Sequence, residues 1–308
     1  MCRALLYLGE PVLLSHLLHA PDNSLIKQAY MPKMLHMLNL AGFGMKAWDL
    51  ASYEPEVPFS YASTSLPIFD RNLKALSEKI RISCLLAHVR GVAYHTDVEI
   101  TLPNTHPFCY TGFRLAFAHN GDLYRLNEMR NDLLAHISPQ IAGLIRGSTD
   151  SELIYALLLS QLQNPQGFIY ADEMKSAVEQ TLRIIREVRA RHDIDTSSSV
   201  NLFITDGERL AGVRFCFDFG CYRTTGPAGV HEANLQYLSL WYTSGREFGC
   251  HDGEWKMVGG SDVASSIIVA SEPLTRDTSR WLQVPEYGML YADTRSGHPH
   301  VEIHYLDA

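Results

Sequence analysis

The pattern of apolar and polar positions predicts a chain that mixes helices with strands. Near-continuous apolar runs, typical of strands buried on both faces, lie at 4–8, 82–89 and 113–119, and a glycine-containing strand is expected at 41–48. Apolar residues near helical spacing predict helices at 12–19, 70–76, 123–137, 153–162 and 172–192, the last on the surface because its other positions are charged. From residue 197, turn residues separate short strands expected in consecutive antiparallel hairpins at 200–205, 210–217, 237–243, 266–270, 288–292 and 301–305.

Composition narrows the partners and the compartment. The chain has 308 residues, 46% of them apolar, and a net charge of −8. Nucleic acids and anionic membranes reward clustered Lys and Arg, so we expect neither as a partner. No apolar run reaches the roughly 18 residues of a membrane span, and no signal peptide is apparent. The six cysteines include no CxxC pair and no zinc-type spacing. We therefore expect free thiols in a reducing cytoplasm, with no metal and no cofactor.

Cys2 is the first candidate for chemistry. If Met1 is removed, this residue carries both a thiol and a free α-amine. The thiolate is the nucleophilic form of cysteine, and an α-amine with a pKa of roughly 7.7 to 8.0 can accept the thiol proton near neutral pH. Nucleophile and general base would then share one residue, held at the end of a sheet by the apolar strand at 4–8. The alternative is a small apolar side chain in a first strand.

A second candidate, Arg90, follows the apolar run at 82–89 directly. A cation in that place is either the exit of the strand to solvent or an anion-binding residue at a cleft, and the residues alone leave both open. The stretch after it reaches Pro107 without a clear element, and loops of that length are usually functional or disordered. His88, His95 and His106 lie in or beside it, but without a carboxylate or thiol at ligand spacing they do not favour a metal site.

Two further candidates lie at the ends of predicted elements. Asn120-Gly121 stands between a predicted strand and a predicted helix. Backbone N–H groups and an Asn amide at such a junction are suited to an oxyanion hole, although Asn-Gly is also the commonest tight-hairpin pair. Asp150 follows Ser148-Thr149 at the start of a helix, where a capping signature and the helix dipole explain an acid without any function.

Taken in order, these residues resemble the class II glutamine amidotransferases, which belong to the N-terminal nucleophile hydrolases. The resemblance rests on Cys2, Arg90, Asn104-x-His106-Pro107, Phe-Ala-His-Asn-Gly at 117–121 and Ser-Thr-Asp-Ser-Glu at 148–152. One branch of that family, the stand-alone γ-glutamyl amidohydrolases, is also matched by Met1-Cys2-Arg3, Ser-Leu-Ile-Lys-Gln at 24–28, Gly-Phe-Gly at 42–44, Ser-Leu-Trp-Tyr at 239–242 and Val-Ala-Ser-Glu-Pro-Leu at 269–274. That branch includes glutathione-degrading and ergothioneine-pathway enzymes.

The resemblance implies a role for each of five residues. Cys2 would attack the γ-carbonyl carbon with its own α-amine as base. The side-chain amide of Asn120 and the backbone N–H of Gly121 would hold the tetrahedral oxyanion. Arg90 would pair bidentately with the α-carboxylate of the glutamyl group, and Asp150 would bind its α-ammonium group. Hydrolysis of the γ-glutamyl thioester would then release glutamate, after ammonia or an amine has left.

The chain departs from the family after Arg90. The family usually continues x-Ala-Thr-x-Gly, in which the Thr helps to hold the substrate head, whereas residues 91–95 here are Gly-Val-Ala-Tyr-His, with a longer run to His106. The resemblance therefore implies an altered lid over the substrate. That change argues against free glutamine as the preferred substrate and leaves the chemistry in place.

Together these expectations specify one architecture and one activity. We predict an α+β fold, a four-layer αββα sandwich of two mainly antiparallel sheets (the N-terminal nucleophile hydrolase fold), formed by a single glutamine amidotransferase type-2 domain over 1–308. The predicted activity is hydrolysis of a small-molecule γ-glutamyl amide. Passing ammonia on would need a separate synthase or peptidase partner chain, and the chain could form an oligomer. The alternatives are a non-catalytic or partner-dependent subunit that binds another chain, and an N-terminal nucleophile amidase of different acyl specificity.

Overall fold

Two antiparallel sheets form the centre of the structure, a computed structural model that describes residues 2–34, 38–92, 99–221, 238–260, 264–293 and 300–308. The strands are β1 (Arg3–Leu13), β2 (Phe43–Trp48), β3 (Phe59–Ser63), β4 (Arg81–Val89), β5 (Ala116–Gly121), β6 (Ser198–Thr205), β7 (Arg209–Arg214), β8 (Cys216–Phe217), β9 (Trp241–Gly245), β10 (Glu247–His251), β11 (Glu254–Val258), β12 (Ser266–Ala270), β13 (Leu282–Gln283), β14 (Gly288–Asp293) and β15 (His300–Tyr305). Sheet I has seven strands in the order β13-β9-β12-β1-β4-β2-β3. Sheet II has the order β15-β14-β7-β6-β5, with β8 paired to β6, and β10 and β11 form a separate hairpin.

Helices cover the outer faces of both sheets. They are α1 (Ser15–Leu18), α2 (Arg71–Ser77), α3 (Leu126–Leu134), α4 (Pro139–Ala142), α5 (Asp150–Gln161) and α6 (Ala171–Arg191), with 3-10 turns at Lys27–Ala29, Pro67–Phe69 and Leu102–Asn104. The four helices α3 to α6 share one apolar cluster with sheet II. The short helices α1 and α2 share another with sheet I and the β10–β11 hairpin. The order of layers is therefore αββα, as predicted.

Strand β1 lies in the middle of sheet I, and it is buried on both faces. Alternate side chains of a strand point to opposite faces. Leu6 accordingly packs between the two sheets with Phe203 of sheet II, whereas Leu5 and Tyr7 pack on the helical side. The continuous apolar run at 4–8 is the sequence consequence of this double burial. The strand also brings Cys2, which precedes it, to one end of sheet I.

One predicted helix begins later than expected, because its first two residues belong to a strand. The helix expected at 12–19 is reduced to Ser15–Leu18, because β1 continues to Leu13. After an irregularity in register, Val12 pairs with Ile82 and the last residue of β1 pairs with Arg81 on β4. Pairing with a neighbouring strand therefore overrides a helical spacing of apolar residues. This prediction was wrong at its N-terminal end.

The predicted consecutive hairpins are also only partly correct. The pairs β6–β7 and β14–β15 are hairpins of sheet II, but β9 and β12 belong to sheet I. β9 pairs with β12, and the β10–β11 hairpin, which the pattern did not predict, lies between them in the chain. Strand β14 pairs with β7 as well as with β15. Apolar alternation predicts strands, but it does not indicate which strand each of them pairs with.

The Asn120-Gly121 pair lies at the end of a strand and not in a hairpin turn. Both residues belong to β5 and pair with Asn201 and Val200 of β6, and the next element is α3. The tight-hairpin alternative is therefore wrong. The strand–turn–helix context is correct, but the turn starts later than predicted.

The long helix α6 has one buried face. All the apolar positions expected at helical spacing are buried, namely Met174, Val178, Leu182, Ile185 and Val188. The helix thus forms part of the outer layer on sheet II, as predicted, with its charged positions outward except for the buried Arg189. Among the described residues, no helix is long and apolar enough to cross a membrane.

Candidate active site

The thiol of Cys2 lies against the end of strand β4. Because Arg3 pairs with Val89, the residue before β1 meets the residues that follow β4. The Cys2 sulphur accepts a hydrogen bond from the N–H of Gly91 at 3.3 Å and lies 3.6 Å from the carbonyl oxygen of the same residue. Cys2 is half-buried, and all six cysteines of the chain are free, as predicted. The thiol is therefore accessible and held by backbone contacts of a neighbouring strand.

Arg3 and Glu272 form a buried ion pair beside the nucleophile candidate. The guanidinium Nε lies 3.6 Å from the Glu272 carboxylate, and both side chains are buried. Arg3 also donates from Nη1 to the carbonyl oxygen of Cys2 at 3.2 Å. Burial lowers the pKa of the Arg3 guanidinium, and the nearby Glu272 and Cys2 groups oppose that shift. The backbone of Cys2 is thus fixed on the side opposite its thiol contacts by a buried cation.

Arg90 is not a strand exit to solvent. Only 4% of the residue is exposed, and its backbone continues the ladder by donating to Gly42 O at 2.8 Å. The guanidinium donates to the carbonyl oxygen of Glu99 at 3.0 Å. Burial lowers the pKa of Arg90, and Cys2 and Asp150 oppose the shift electrostatically. The cation is therefore buried and within electrostatic range of Cys2 and Asp150, and its burial excludes the exit to solvent that the sequence left open.

The far end of the lid is anchored on the loop before α5. Asn104, which is buried, donates from Nδ2 to the carbonyl oxygen of Glu99 at 3.3 Å and accepts from the N–H of Ser148 at 2.8 Å. Thr149 then caps α5 by accepting from the N–H of Glu152 at 3.2 Å. The carbonyl of Glu99 is consequently shared by Arg90 and Asn104. The lid residues Ala93, Tyr94 and His95, where the chain departs from the family pattern, lie outside the described residues.

Asn120 and Gly121 occupy the end of β5. Asn120 is buried, donates from Nδ2 to the hydroxyl of Ser271 at 3.1 Å, and has no hydrogen-bond partner for Oδ1 among the described residues. At Gly121 a Cβ atom would stand 1.9 Å from the carbonyl oxygen of Ser199. Since that neighbour is backbone, only glycine fits there. The close approach of β6 therefore explains the residue type at 121.

Asp150 begins helix α5 and is also tied to the end of β5. One carboxylate oxygen accepts from the N–H of Leu123 at 2.8 Å, and the other accepts from the N–H of Ser151 at 2.7 Å. Asp150 is thus an acidic residue in the first turn of a helix, as the capping pattern predicted. The bond to Leu123, however, fixes the carboxylate beside the strand that carries Asn120 and within electrostatic range of Arg90.

A group of buried histidines lies beneath these residues. The rings of His88 and His106 are 4.1 Å apart between centroids, and both are buried. His119 contacts the carbonyl oxygen of Ser199 through Nε2 at 3.2 Å and the hydroxyl of Ser151 through Nδ1 at 2.9 Å. A carbonyl oxygen only accepts, so Nε2 carries the proton. In the described residues no group of three or more His, Cys, Asp or Glu side chains is arranged to hold a metal ion.

The buried pair predicts a loss of stability in mild acid. Burial lowers the pKa of His88 to about 3, and it also lowers the pKa of His106 well below the ordinary value. The unfolded chain takes up these protons near pH 6.5 and the folded chain does not. The contribution of the two neutral histidines to the free energy of unfolding is therefore fully present above pH 6.5. It is lost as the pH drops, by at most about 1.4 kcal/mol per pH unit for each histidine that stays neutral in the folded chain.

Urea unfolding of wild type and His106→Phe between pH 7 and 5 checks this expectation. The free energy of unfolding of the variant should depend less steeply on pH, because unfolding then takes up about one proton fewer. His300→Gln, at a surface histidine, is the matched control and should follow the wild type. Equal pH dependence in His106→Phe and wild type would contradict the prediction.

The structure brings the five predicted site residues to one end of the two sheets. Cys2 contacts the residue after Arg90, and Asn120 is joined to strand β1 through Ser271, whose hydroxyl also accepts from Ala4 N–H at 3.0 Å. Gly121 follows Asn120. The carboxylate of Asp150 accepts a hydrogen bond from Leu123, two positions after Gly121. Arg3, Ser271 and Glu272 were not predicted as part of the site. The motif that contains the last two was noticed, but nothing local in it indicates contact with Asn120.

Comparisons with known proteins identify the family. The sequence model of the class II glutamine amidotransferases matches residues 40–232. The chain belongs to this family. It is 28% identical to the probable glutamine amidotransferase DUG3 of Saccharomyces cerevisiae over 100% of this chain and 86% of that relative. It is also 30% identical to a γ-glutamyl-hercynylcysteine sulfoxide hydrolase of Mycobacterium tuberculosis. That match extends over 123 residues, which are 39% of this chain and 49% of that relative.

Solved structures of the family share the fold. A structure described as a glutamine aminotransferase class-II domain protein of Silicibacter pomeroyi aligns over 100% of both chains with a TM-score of 0.59 at 19% identity. The glutamine phosphoribosylpyrophosphate amidotransferase of B. subtilis aligns with 98% of this chain and 49% of its own, with a TM-score of 0.54 at 15% identity. The predicted family and fold are confirmed. So is the predicted enzyme class, that of the class II glutamine amidotransferases.

Proposed function

We propose that the chain hydrolyses a γ-glutamyl amide bond through a thioester on Cys2. In this proposal Met1, which lies outside the described residues, is removed, and the freed α-amine takes the thiol proton. The sulphur then forms a bond to the γ-carbonyl carbon, and the proton passes to the departing amine as the C–N bond breaks. Water hydrolyses the thioester, which releases glutamate and restores the thiol. The observation that carries the proposal is the position of the half-buried thiol, 3.3 Å from the N–H of Gly91, next to the buried Arg90.

The tetrahedral intermediate needs donors for its oxyanion. The amide nitrogen of Asn120 has two protons, and its bond to Ser271 uses one of them. We assign the second proton, together with the backbone N–H of Gly121, to the oxyanion. Both residues are held by the β5–β6 pairing, so the donors do not have to reorganise during the reaction. Preorganisation of this kind is the main contribution that a rigid strand can make to catalysis.

The same proposal assigns recognition of the amino-acid head to two opposite charges. Arg90 would bind the α-carboxylate, since a guanidinium offers two parallel donors where an ammonium offers a point charge. Asp150 would bind the α-ammonium group, its carboxylate being oriented by two backbone N–H groups. In the structure, Arg90 donates to the carbonyl oxygen of Glu99 on the lid. The α-carboxylate of the substrate would bind the Arg90 guanidinium beside the Glu99 carbonyl oxygen or in its place.

We propose that the substrate is a small γ-glutamyl compound. We also propose that residues 1–308 form a single domain, which acts in the cytoplasm. The two curated relatives are named as a probable glutamine amidotransferase and a γ-glutamyl-hercynylcysteine sulfoxide hydrolase. The changed sequence after Arg90 supports a leaving group larger than ammonia. If ammonia is the product and is to be used, a separate synthase or peptidase chain would be the acceptor, and the chain could also act as an oligomer.

Glutamate release and intact mass test the proposal together. The purified protein is assayed with L-glutamine, a γ-glutamyl dipeptide and the α-linked isomer of that dipeptide, and is incubated with 6-diazo-5-oxo-norleucine. We expect glutamate from γ-linked compounds only, loss of Met1 and one adduct. Cys2→Ala should remain unlabelled, whereas Cys109→Ala, at another half-buried cysteine, should label as wild type. Retained Met1 without an adduct would overturn the enzyme proposal and favour a binding subunit. An adduct without release of glutamate would favour a different acyl group.

A further inference from the structure

Ser271 connects the strand that carries the nucleophile candidate to the side chain of Asn120. It directly follows β12, and its N–H donates to the carbonyl oxygen of Ala4 at 3.0 Å. In a regular antiparallel ladder its carbonyl would accept the return bond. Here the side-chain hydroxyl accepts instead, from Ala4 N–H at 3.0 Å. The hydroxyl is therefore fixed by backbone two residues after Cys2.

The same hydroxyl oxygen accepts from Asn120 Nδ2 at 3.1 Å. Asn120 Oδ1 is buried and has no hydrogen-bond partner in the described part of the chain. Among the described residues, the bond to Ser271 is thus the side-chain hydrogen bond that fixes the rotation of the Asn120 amide plane. The hydroxyl thus accepts from Ala4 N–H and from Asn120 Nδ2 at the same time, and it ties the amide nitrogen to the backbone of β1.

The residue after Ser271 makes this support rigid. Glu272 is fully buried and accepts from Asn23 Nδ2 at 3.0 Å and from the N–H of Met34 at 2.9 Å. It also forms the ion pair with Arg3. Ser271 is therefore held between the sheet I ladder and a buried carboxylate with several donors. A side chain oriented by such a neighbour keeps its geometry without cost at the moment of reaction.

We propose that Ser271 is a positioning residue, which orients the Asn120 amide toward the oxyanion and keeps it in register with strand β1 and Cys2. The inference rests on the proposed function, because it assigns Ser271 a role in that reaction. It adds a residue 151 positions away from Asn120 in sequence to the machinery. Ser271 itself does not touch the reacting atoms; its effect passes through Asn120.

Kinetics of Ser271→Ala test the proposal. We expect kcat for glutamate release to fall about 10- to 100-fold, as for a misplaced catalytic group, with KM little changed because head recognition is intact. Ser271→Cys, which is nearly isosteric but a weaker acceptor, should fall less. In an Asn120→Ala background, Ser271→Ala should have no further effect. A purely structural serine would instead lower activity by the same factor in both backgrounds.

Ser266→Ala is the matched control. Ser266 is a buried serine at the other end of β12, and its hydroxyl likewise accepts from β1 backbone, at Glu10 N–H, and contacts Tyr7. This variant should lose stability in urea without loss of kcat. Wild-type kcat in Ser271→Ala, or an equal loss of kcat in Ser266→Ala, would overturn the proposal. Wild-type protein that releases no glutamate would instead overturn the proposed function, so the two failures are distinguishable.

Discussion

Replacement of Cys2 by alanine is expected to lower the rate of glutamate release on the order of 10⁴-fold or more, since removal of a nucleophile leaves only binding and oxyanion stabilisation. Cys2→Ser should also be strongly impaired, because an alcohol with an unperturbed pKa gives up its proton to an α-amine far less readily than a thiol. The variants are suitable for kinetics because Cys2 precedes β1 and is half-buried. Their loss is therefore expected in kcat and not in folding.

Single-turnover assays at saturating γ-glutamyl dipeptide, with urea unfolding in parallel, measure this effect. Cys109→Ala serves as the control, because Cys109 is also half-buried and its thiol contacts Phe113 O at 3.5 Å in another part of the structure. It should retain wild-type kcat. Activity of Cys2→Ala above one hundredth of wild type would be incompatible with a thioester on this residue.

The Asn120→Ala variant is expected to lower kcat for glutamate release about 10²- to 10³-fold, the usual effect of removing one oxyanion donor. KM should change little, because Arg90 and Asp150, the proposed contacts of the substrate head, remain. The lost interaction forms only in the transition state, so the loss should appear equally in kcat and kcat/KM. A rise in KM at constant kcat would instead place Asn120 in ground-state binding.

A matched control lies directly across the strand pair. Asn201 pairs with Asn120 in the β5–β6 register and is equally buried. Its amide accepts from Phe215 N–H at 3.3 Å and donates to Leu238 O at 3.4 Å, within sheet II and the segment that follows. Asn201→Ala should cost about 1 to 3 kcal/mol of unfolding free energy, as an unpaired buried group does, and leave kcat near wild type. Similar kinetic losses in both variants would show that the effect of Asn120→Ala is structural.

The residue types of the site could be predicted from the sequence, but the connections between them could not. Cys2, Arg90 and Asp150 stand at the ends of elements whose apolar patterns are local, so their placement at strand or helix termini followed from periodicity and capping. The open question at Arg90 was burial. It was decided by the pairing of its backbone with Gly42, directly before β2. A local sequence pattern does not indicate which strand will be the partner.

Periodicity failed where tertiary pairing outweighed local preference. The helix predicted at 12–19 became strand through its first two residues, because β4 offers Val12 and Leu13 backbone partners. Strands β9 and β12 alternate like their neighbours in sequence, yet they join sheet I. The buried face of α6, in contrast, was predicted position by position. Helix faces depend on residues three or four apart, whereas sheet membership depends on residues far away in the chain.

The sequence by itself determined the family, the layer order and the residues that could do chemistry. Apolar runs encode burial on one or both faces of an element, and a set of motifs in order encodes a resemblance. Only the tertiary structure decided that Ser271 meets both Asn120 and Ala4, which lie 151 and 267 positions away from it. The bond to Ala4 requires β12 to pair with β1, and the bond to Asn120 requires the two sheets to be stacked, so no local property of Ser271 could reveal its partners.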